Sequence, residues 1–159
     1  MVDKNQAVID YLLTCPQIKN SPLYFNFINA KDNSNQFVTV SNDQYSNRSF
    51  IDGSVSKIYT FTIITFKSTV EIAIPKLPGY QNENMSDMAA IQTLIDWVKE
   101  QDELNNFPNF GDDCIIDSIF PTTDAPNFDG IDEEVSPALA VYSTSFQIQY
   151  VDISKKLWR

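Results

Sequence analysis

A chain of 159 residues, 43% hydrophobic and 13% aromatic, can bury one sizeable core and is too apolar for a disordered segment. It has no histidine and a formal net charge of −10. That composition excludes a serine or cysteine nucleophile activated by histidine, and it disfavours phosphate binding through a basic surface. No apolar run approaches the roughly 20 residues of a membrane-spanning helix. The first residues, with Asp3, Lys4 and Asp10, lack the apolar core and cleavage site of an export signal, so none is expected.

In chain order, residues 5–14 place Val8, Tyr11 and Leu12 on one helical face, with Ile9 and Leu13 beside it. Cys15-Pro16 is expected to end this helix, because the residue before proline is pushed out of the α region. Strands are predicted at 23–28 and 36–40, joined as a hairpin through Lys31-Asp32-Asn33-Ser34-Asn35. Ser49-Phe50-Ile51 then meets Asp52-Gly53, a dipeptide suited to a type I′ turn. Residues 57–66 are the strongest strand of the first half. Tyr59, Phe61 and Ile63 share one face, and Ile58, Thr60, Thr62, Ile64 and Phe66 share the other. With both faces apolar or β-branched, this strand reads as covered on both sides or as a surface between subunits.

A further short strand is expected at 70–74, after which Pro75, Pro78 and Gly79 mark a loop. The second helix is placed from Ser86 or Asp87 to Gln101. Its stripe is Met88, Ile91, Ile95 and Val98, widened by Leu94, with Trp97 toward the sheet rim. Asn105-Asn106-Phe107-Pro108 ends it. Residues 114–120 predict a strand stopped by Pro121, and 122–137 a polar, acidic connection. The last strand, 142–150, has the cleanest alternation: Tyr142, Thr144, Phe146, Ile148 and Tyr150 on one side, Ser143, Ser145, Gln147 and Gln149 on the other. The expected fold is α+β, one domain over residues 1–159, with a single antiparallel sheet and both helices, 5–14 and 87–101, on one face.

Charge is divided unevenly. Residues 1–80 hold six acids against seven bases, a net of +1, while residues 81–159 hold fifteen acids against four bases, a net of −11. From Glu100 to Ser154 there is no lysine or arginine. Solubility alone accounts for an acidic surface; the functional alternative is docking on a basic partner, or keeping a polyanion from sticking. The acidic connection fails as a calcium loop. With Gly130 as the turn glycine, the first and last ligand positions fall on Ala125 and Ser136, where carboxylates are needed. Cys15 and Cys114, 99 positions apart, read as buried free thiols and cannot make a zinc site. Asp112-Asp113 and Asp117 could pair as catalytic carboxylates only as in any acidic protein, and a solvated loop is the better reading. No enzyme activity, metal or cofactor is expected. Residues 154–159 form a short basic tail, either frayed or an arm that docks on an acidic neighbour with Trp158 as anchor.

Three features taken together resemble the tail terminator, or tail completion, proteins of long-tailed bacteriophages, which are often labelled minor capsid proteins. They are Ile51-Asp52-Gly53-Ser54 leading into Tyr59-Thr60-Phe61-Thr62-Ile63; the helix end Asp96-Trp97-Val98-Lys99-Glu100-Gln101 with Phe107-Pro108; and Ala140-Val141-Tyr142 through Phe146-Gln147-Ile148-Gln149-Tyr150. They run in the family's order from about residue 51 to 152, while 68–81 and 122–137 depart from its pattern. The resemblance implies a virion protein, present in the host cytoplasm during assembly. It would form a ring, typically a hexamer, on the last ring of the tail tube and meet the neck or a head-completion protein, with DNA passing through unbound. On that reading, basic Arg48, Lys57 and Lys67 of one subunit would face Asp129, Asp132, Glu133 and Glu134 of the next. The other classes are another neck or adaptor component, or a small acidic domain that binds or inhibits a basic partner.

Overall fold

The computed structural model describes residues 2–19, 23–25, 34–39, 48–68, 78–134 and 138–157. The fold is α+β, with three helices and a mostly antiparallel seven-stranded sheet. The elements are α1 (Lys4–Leu12), α2 (Pro16–Lys19), β1 (Leu23–Phe25), β2 (Ser34–Thr39), β3 (Arg48–Ser49), β4 (Val55–Ser68), α3 (Pro78–Glu103), β5 (Cys114–Pro121), β6 (Asn127–Asp132) and β7 (Leu139–Asp152). The sheet order is β1-β2-β4-β7-β5, with β3 also paired to β4 and β6 to β7.

Two long strands carry the architecture. β4 and β7 pair antiparallel without interruption from Val55↔Asp152 to Ser68↔Leu139. At about 3.3 Å per residue, this ladder is roughly 45 Å long. β7 follows its alternation: Tyr142, Thr144, Phe146, Ile148 and Tyr150 are buried, and the residues between them are half-buried. In β4, Phe61, Ile63 and Thr65 are buried on one face, while on the other Ile58, Thr60, Thr62 and Ile64 stay half-buried and Phe66, near the strand's end, is buried. All three described helices place residues in the one core cluster built on the Phe61 face. β4 is therefore a helix-covered strand on one side only, among the described residues.

The core is aromatic at its centre. Phe61 stacks on Phe37 of β2 and Phe146 of β7, with ring centroids 5.3 and 5.2 Å apart. α1 presents Val8, Tyr11 and Leu12 as its spacing predicts, and Asp3 caps it by accepting from the amides of Asn5 and Gln6. α3 buries Ile91, Leu94, Ile95 and Val98. Half-buried Trp97 meets Tyr11 with ring centroids 5.2 Å apart, which ties the two long helices together.

Several expectations are corrected. The first helix does end ahead of Cys15-Pro16, α1 stopping at Leu12, but Pro16 also opens a second short helix, α2, since proline is favourable at a first helical position. For the same reason α3 starts at Pro78 rather than at Ser86 or Asp87. It closes after Glu103 with Asn105 at φ 54°, the amides of Asn106 and Asn105 donating to the carbonyls of Gln101 and Asp102. That is a Schellman motif with asparagine in the left-handed position. β1 and β2 pair in parallel, not as a hairpin. The polar residues assigned to the turn, Ser34 and Asn35, belong to β2 because they are buried and satisfied in the sheet, Thr65 Oγ1 donating to Asn35 Oδ1 at 2.9 Å. The acidic connection contains β6, paired to Leu139–Ser143 of β7. The 50–54 turn is not type I′, because Gly53 alone has positive φ. Cys114 is half-buried rather than buried, and both cysteines are free thiols. The strand expected at 70–74, residues 26–28 and 40, Trp158 and Arg159 lie outside the described residues.

Candidate interaction surfaces

The two ends of the β4–β7 ladder carry different chemistry. At one end, β3 and β4 are joined through Phe50–Ser54. The Phe50 amide donates to Ser54 O at 2.9 Å and the Gly53 amide to Phe50 O at 3.0 Å. This three-residue loop closes on a left-handed glycine, at φ +87°, and leaves Ile51 at the tip. The basic tail does not project as a free arm through Leu157. Its Leu157 amide donates to Asp52 O at 2.6 Å, and Lys156 Nζ lies 3.6 Å from Asp52 Oδ2. The tail thus covers the hairpin of its own chain, while Phe50, Ile51 and Leu157 remain exposed.

Two Asp-x-Ser units brace this end. Asp52 Oδ1 accepts from the Ser54 hydroxyl and amide at 2.6 and 3.0 Å. Asp152 Oδ1 does the same with Ser154 at 2.6 and 2.9 Å, and its Oδ2 takes Lys57 Nζ at 2.9 Å. Hydrogen bonds from Ser154, then from Lys57, hold the Asp152 carboxyl well below the usual carboxylate range. Asp52 is lowered mainly by Ser54, with Lys156 adding. Both folded pKa values lie below their unfolded ones, so this stabilisation is complete above the ordinary carboxylate value of about 4 and is lost as pH falls below it. The melting temperature should therefore drop as pH is lowered from about 5 to 2. Asp152→Asn should flatten that dependence more than Lys57→Ala does, since the Ser154 bonds survive the latter. Thermal melts across this window check it, and identical pH profiles for Asp152→Asn and the unmodified protein would refute the assignment.

At the other end, the edge of the sheet is acidic. Along this edge β6 pairs with Leu139–Ser143 of β7 at that end and β5 with Phe146–Asp152 toward the hairpin end, and each is interrupted by a register shift with an aspartate at the break: Asp129 between Phe128 and Gly130, and Asp117 between Ile116 and Ser118. Bulges and exposed charge are how edge strands avoid further strand pairing. α3 closes over β5: Asp102 Oδ1 accepts from the Ile119 amide at 3.0 Å, and Lys99 pairs with Asp124 at 3.0 Å. Asp132 Oδ1 accepts from the Glu134 amide at 3.0 Å, and Glu133 and Glu134 are exposed. Phe128 and Ile131 stand exposed among these acids, Phe128 against Tyr142 with ring centroids 5.5 Å apart.

The sequence-predicted residues separate accordingly. Asp129, Asp132, Glu133 and Glu134 come together at the acidic edge. Exposed Arg48 lies at the opposite end, opposite Ser56. Lys57 is at that same end but is engaged by Asp152, which removes it as a partner for a neighbour. Lys67 pairs in register with Ala140, itself opposite Ile131, so it stands near its own acidic strand rather than across from it in another subunit. The exposed apolar residues Phe50, Ile51, Leu157, Phe128 and Ile131 were not singled out as contact residues from sequence. The signal was an isoleucine at a turn and two large apolar residues inside an acidic run.

An open groove of about 470 Å³ between α1 and residues 107–109 is lined by Asp3, Asp10, Tyr11 and Phe107. Tyr11 donates its hydroxyl to Asn106 O at 3.0 Å, and burial pushes its pKa up. Among the described residues, no three His, Cys, Asp or Glu side chains gather as a metal-ligand set, and no helix is long and apolar enough to cross a membrane. Compared with known proteins, the chain matches no family model and no curated protein.

Proposed function

We propose that this chain is a structural ring protein that caps the tail tube of a long-tailed phage and joins it to the head or neck. The observation that carries the reading is the distribution of contact chemistry. One continuous ladder holds an apolar tip near Arg48, Lys155 and Lys156 at one end and an apolar strip framed by acids at the other. Two different, complementary patches favour heterologous contacts, which close into a ring when the rotation between subunits permits. The sequence resemblance to tail terminators supplies the placement on the tube and the expected copy number of six. In this reading the partners are further copies of the chain, the tail tube protein and a neck or head-completion protein. DNA passes without specific binding, as a net charge of −10 disfavours phosphate contacts. The protein acts without catalysis or cofactor, in the virion and, during assembly, in the host cytoplasm.

Exposed ion pairs are individually worth about 0–1 kcal/mol, so charge sets register and partner choice while apolar contacts supply affinity. Replacing Asp132, Glu133 and Glu134 together by serine is expected to leave the melting temperature nearly unchanged and to impair capping. Electron microscopy of particles made with this variant should reveal overlong tubes or tails without heads. Normal-length, head-joined tails would reduce the acidic edge to a solvated surface. A second reading, an acidic domain that binds a basic partner, draws on the same edge. It requires a monomer at high concentration, which mass measurement in solution distinguishes.

A further inference from the structure

We infer that the hairpin tip of one copy, Ile51 with Phe50 and Leu157, seats on the strip Phe128–Ile131 at the acidic edge of a second copy. Ile51 is 94% exposed and Leu157 72%, while Phe128 and Ile131 are each about half exposed, at 50% and 53%. Isolated exposed apolar residues are ordinary, but two clusters of large ones on one small acidic chain mark contact sites. The clusters cannot meet within a subunit. The tip follows Arg48–Ser49, paired near Val55 and Asp152, and the strip is paired to Ala140 and Tyr142, almost the full ladder of roughly 40 Å away.

Charge selects a second copy as the occupant. Around the tip stand Arg48, Lys155 and Lys156 against Asp52, and the strip is framed by Asp129, Asp132, Glu133 and Glu134. Asp112 and Asp113 precede β5 and lie on the β7 side of the hairpin end, the Asp113 carbonyl accepting from the Ile153 amide at 2.8 Å, while Arg48 stands on the opposite side, on β3 beyond β4. Strip against strip would oppose like charges, whereas tip against strip brings Arg48, Lys155 and Lys156 to the acids. The tip is also held in shape for docking, because the Leu157 amide and Lys156 fix the hairpin through Asp52. The bulge at Asp129 interrupts the register of the strip and disfavours strand pairing along its outer edge, so recognition runs through side chains. The contact deepens the ring reading and rests on it for closure, but not for the contact itself.

The test uses the full chain with Cys114→Ser, leaving Cys15, which is buried, as the remaining thiol. Ile51→Cys and Ile131→Cys are made separately on that background with tags of different mass, mixed and mildly oxidised. A mixed disulfide between the two variants, with little homodimer from either alone, is the expected result. Ile51→Asp is expected to weaken self-association by light scattering at least about tenfold with an unchanged melting temperature, because the residue makes no core contact. Association without a mixed disulfide overturns the tip-to-strip contact while leaving a ring intact. Ile51→Cys homodimers overturn it in favour of a two-fold contact. A monomer at every concentration up to about 1 mM overturns the contact, and the fate of the capping reading is then decided separately by tail length in particles.

Discussion

Replacing Phe61 by alanine is expected to cost about 3–5 kcal/mol, the range for truncating a fully buried phenylalanine. Phe61 has no exposed surface, sits mid-ladder on β4 and stacks on both Phe37 and Phe146. The cavity would therefore open between three strands whose register the long β4–β7 pairing fixes, and collapse around it is limited. Against a typical domain stability of about 5–15 kcal/mol, that is a large fraction. For a chain of this size it corresponds to a fall of roughly 6–20 °C in melting temperature. Ile58→Ala, three residues earlier on the other face of the same strand, should cost much less, because Ile58 is half-buried and no described helix covers it. Thermal or urea unfolding of the two variants reads the difference directly. Equal losses would mean that the second face of β4 is as tightly packed as the first.

That contrast also marks how far periodicity could be read. A period of two gave the buried face of β7 residue by residue, since one helix-covered side and one open side leave an unambiguous alternation. β4 carries apolar residues on both sides, so its pattern alone could not tell which side the helices take. Burial on the Phe61 side follows from its neighbours, Phe146 and Phe37, which lie about 85 and 24 positions away. Non-local pairing is also why β1 and β2 were misjudged. A polar run between two apolar ones signals a turn, but Ser34 and Asn35 are satisfied by strand contacts with Phe66 and Thr65. β6 was hidden for a related reason. Its residues are mostly exposed and acidic, and only its ladder to β7 makes it a strand.

The candidate surfaces were half legible. Charge asymmetry between the two parts of the chain is additive over residues, so it could be counted, and the acids at Asp129, Asp132, Glu133 and Glu134 do lie together. Which bases remain available could not be counted. Lys57 is spent on Asp152, a partner 95 positions away that becomes adjacent only through strand pairing. The tail likewise reads as a terminus until its backbone bond to Asp52 is known.

Gly53→Val is the substitution expected to couple this turn to assembly. Gly53 sits at φ +87°, and a Cβ there would collide with the Lys155 carbonyl oxygen and approach the Leu157 side chain. The backbone conformation alone costs a side-chain-bearing residue about 1–2 kcal/mol, more for a β-branched one. Overpacking against the tail adds about 1–3 kcal/mol. The valine can be accommodated only if the hairpin changes shape or residues 155–157 leave it, which breaks the Leu157–Asp52 bond and separates Lys156 from Asp52. Gly130→Val is the control. Gly130 also has positive φ, at +119°, but nothing stands within 4 Å of its Cβ position, so only the backbone part of the cost applies. We expect Gly53→Val to be the more destabilising of the two by about 1–3 kcal/mol. Its tail should become cleavable by trypsin at Lys155 and Lys156, and its self-association should weaken with the displaced tip. Equal stability losses and an equally protected tail in both variants would mean that tail and hairpin do not act as one unit, and the tip would then owe nothing of its shape to the tail.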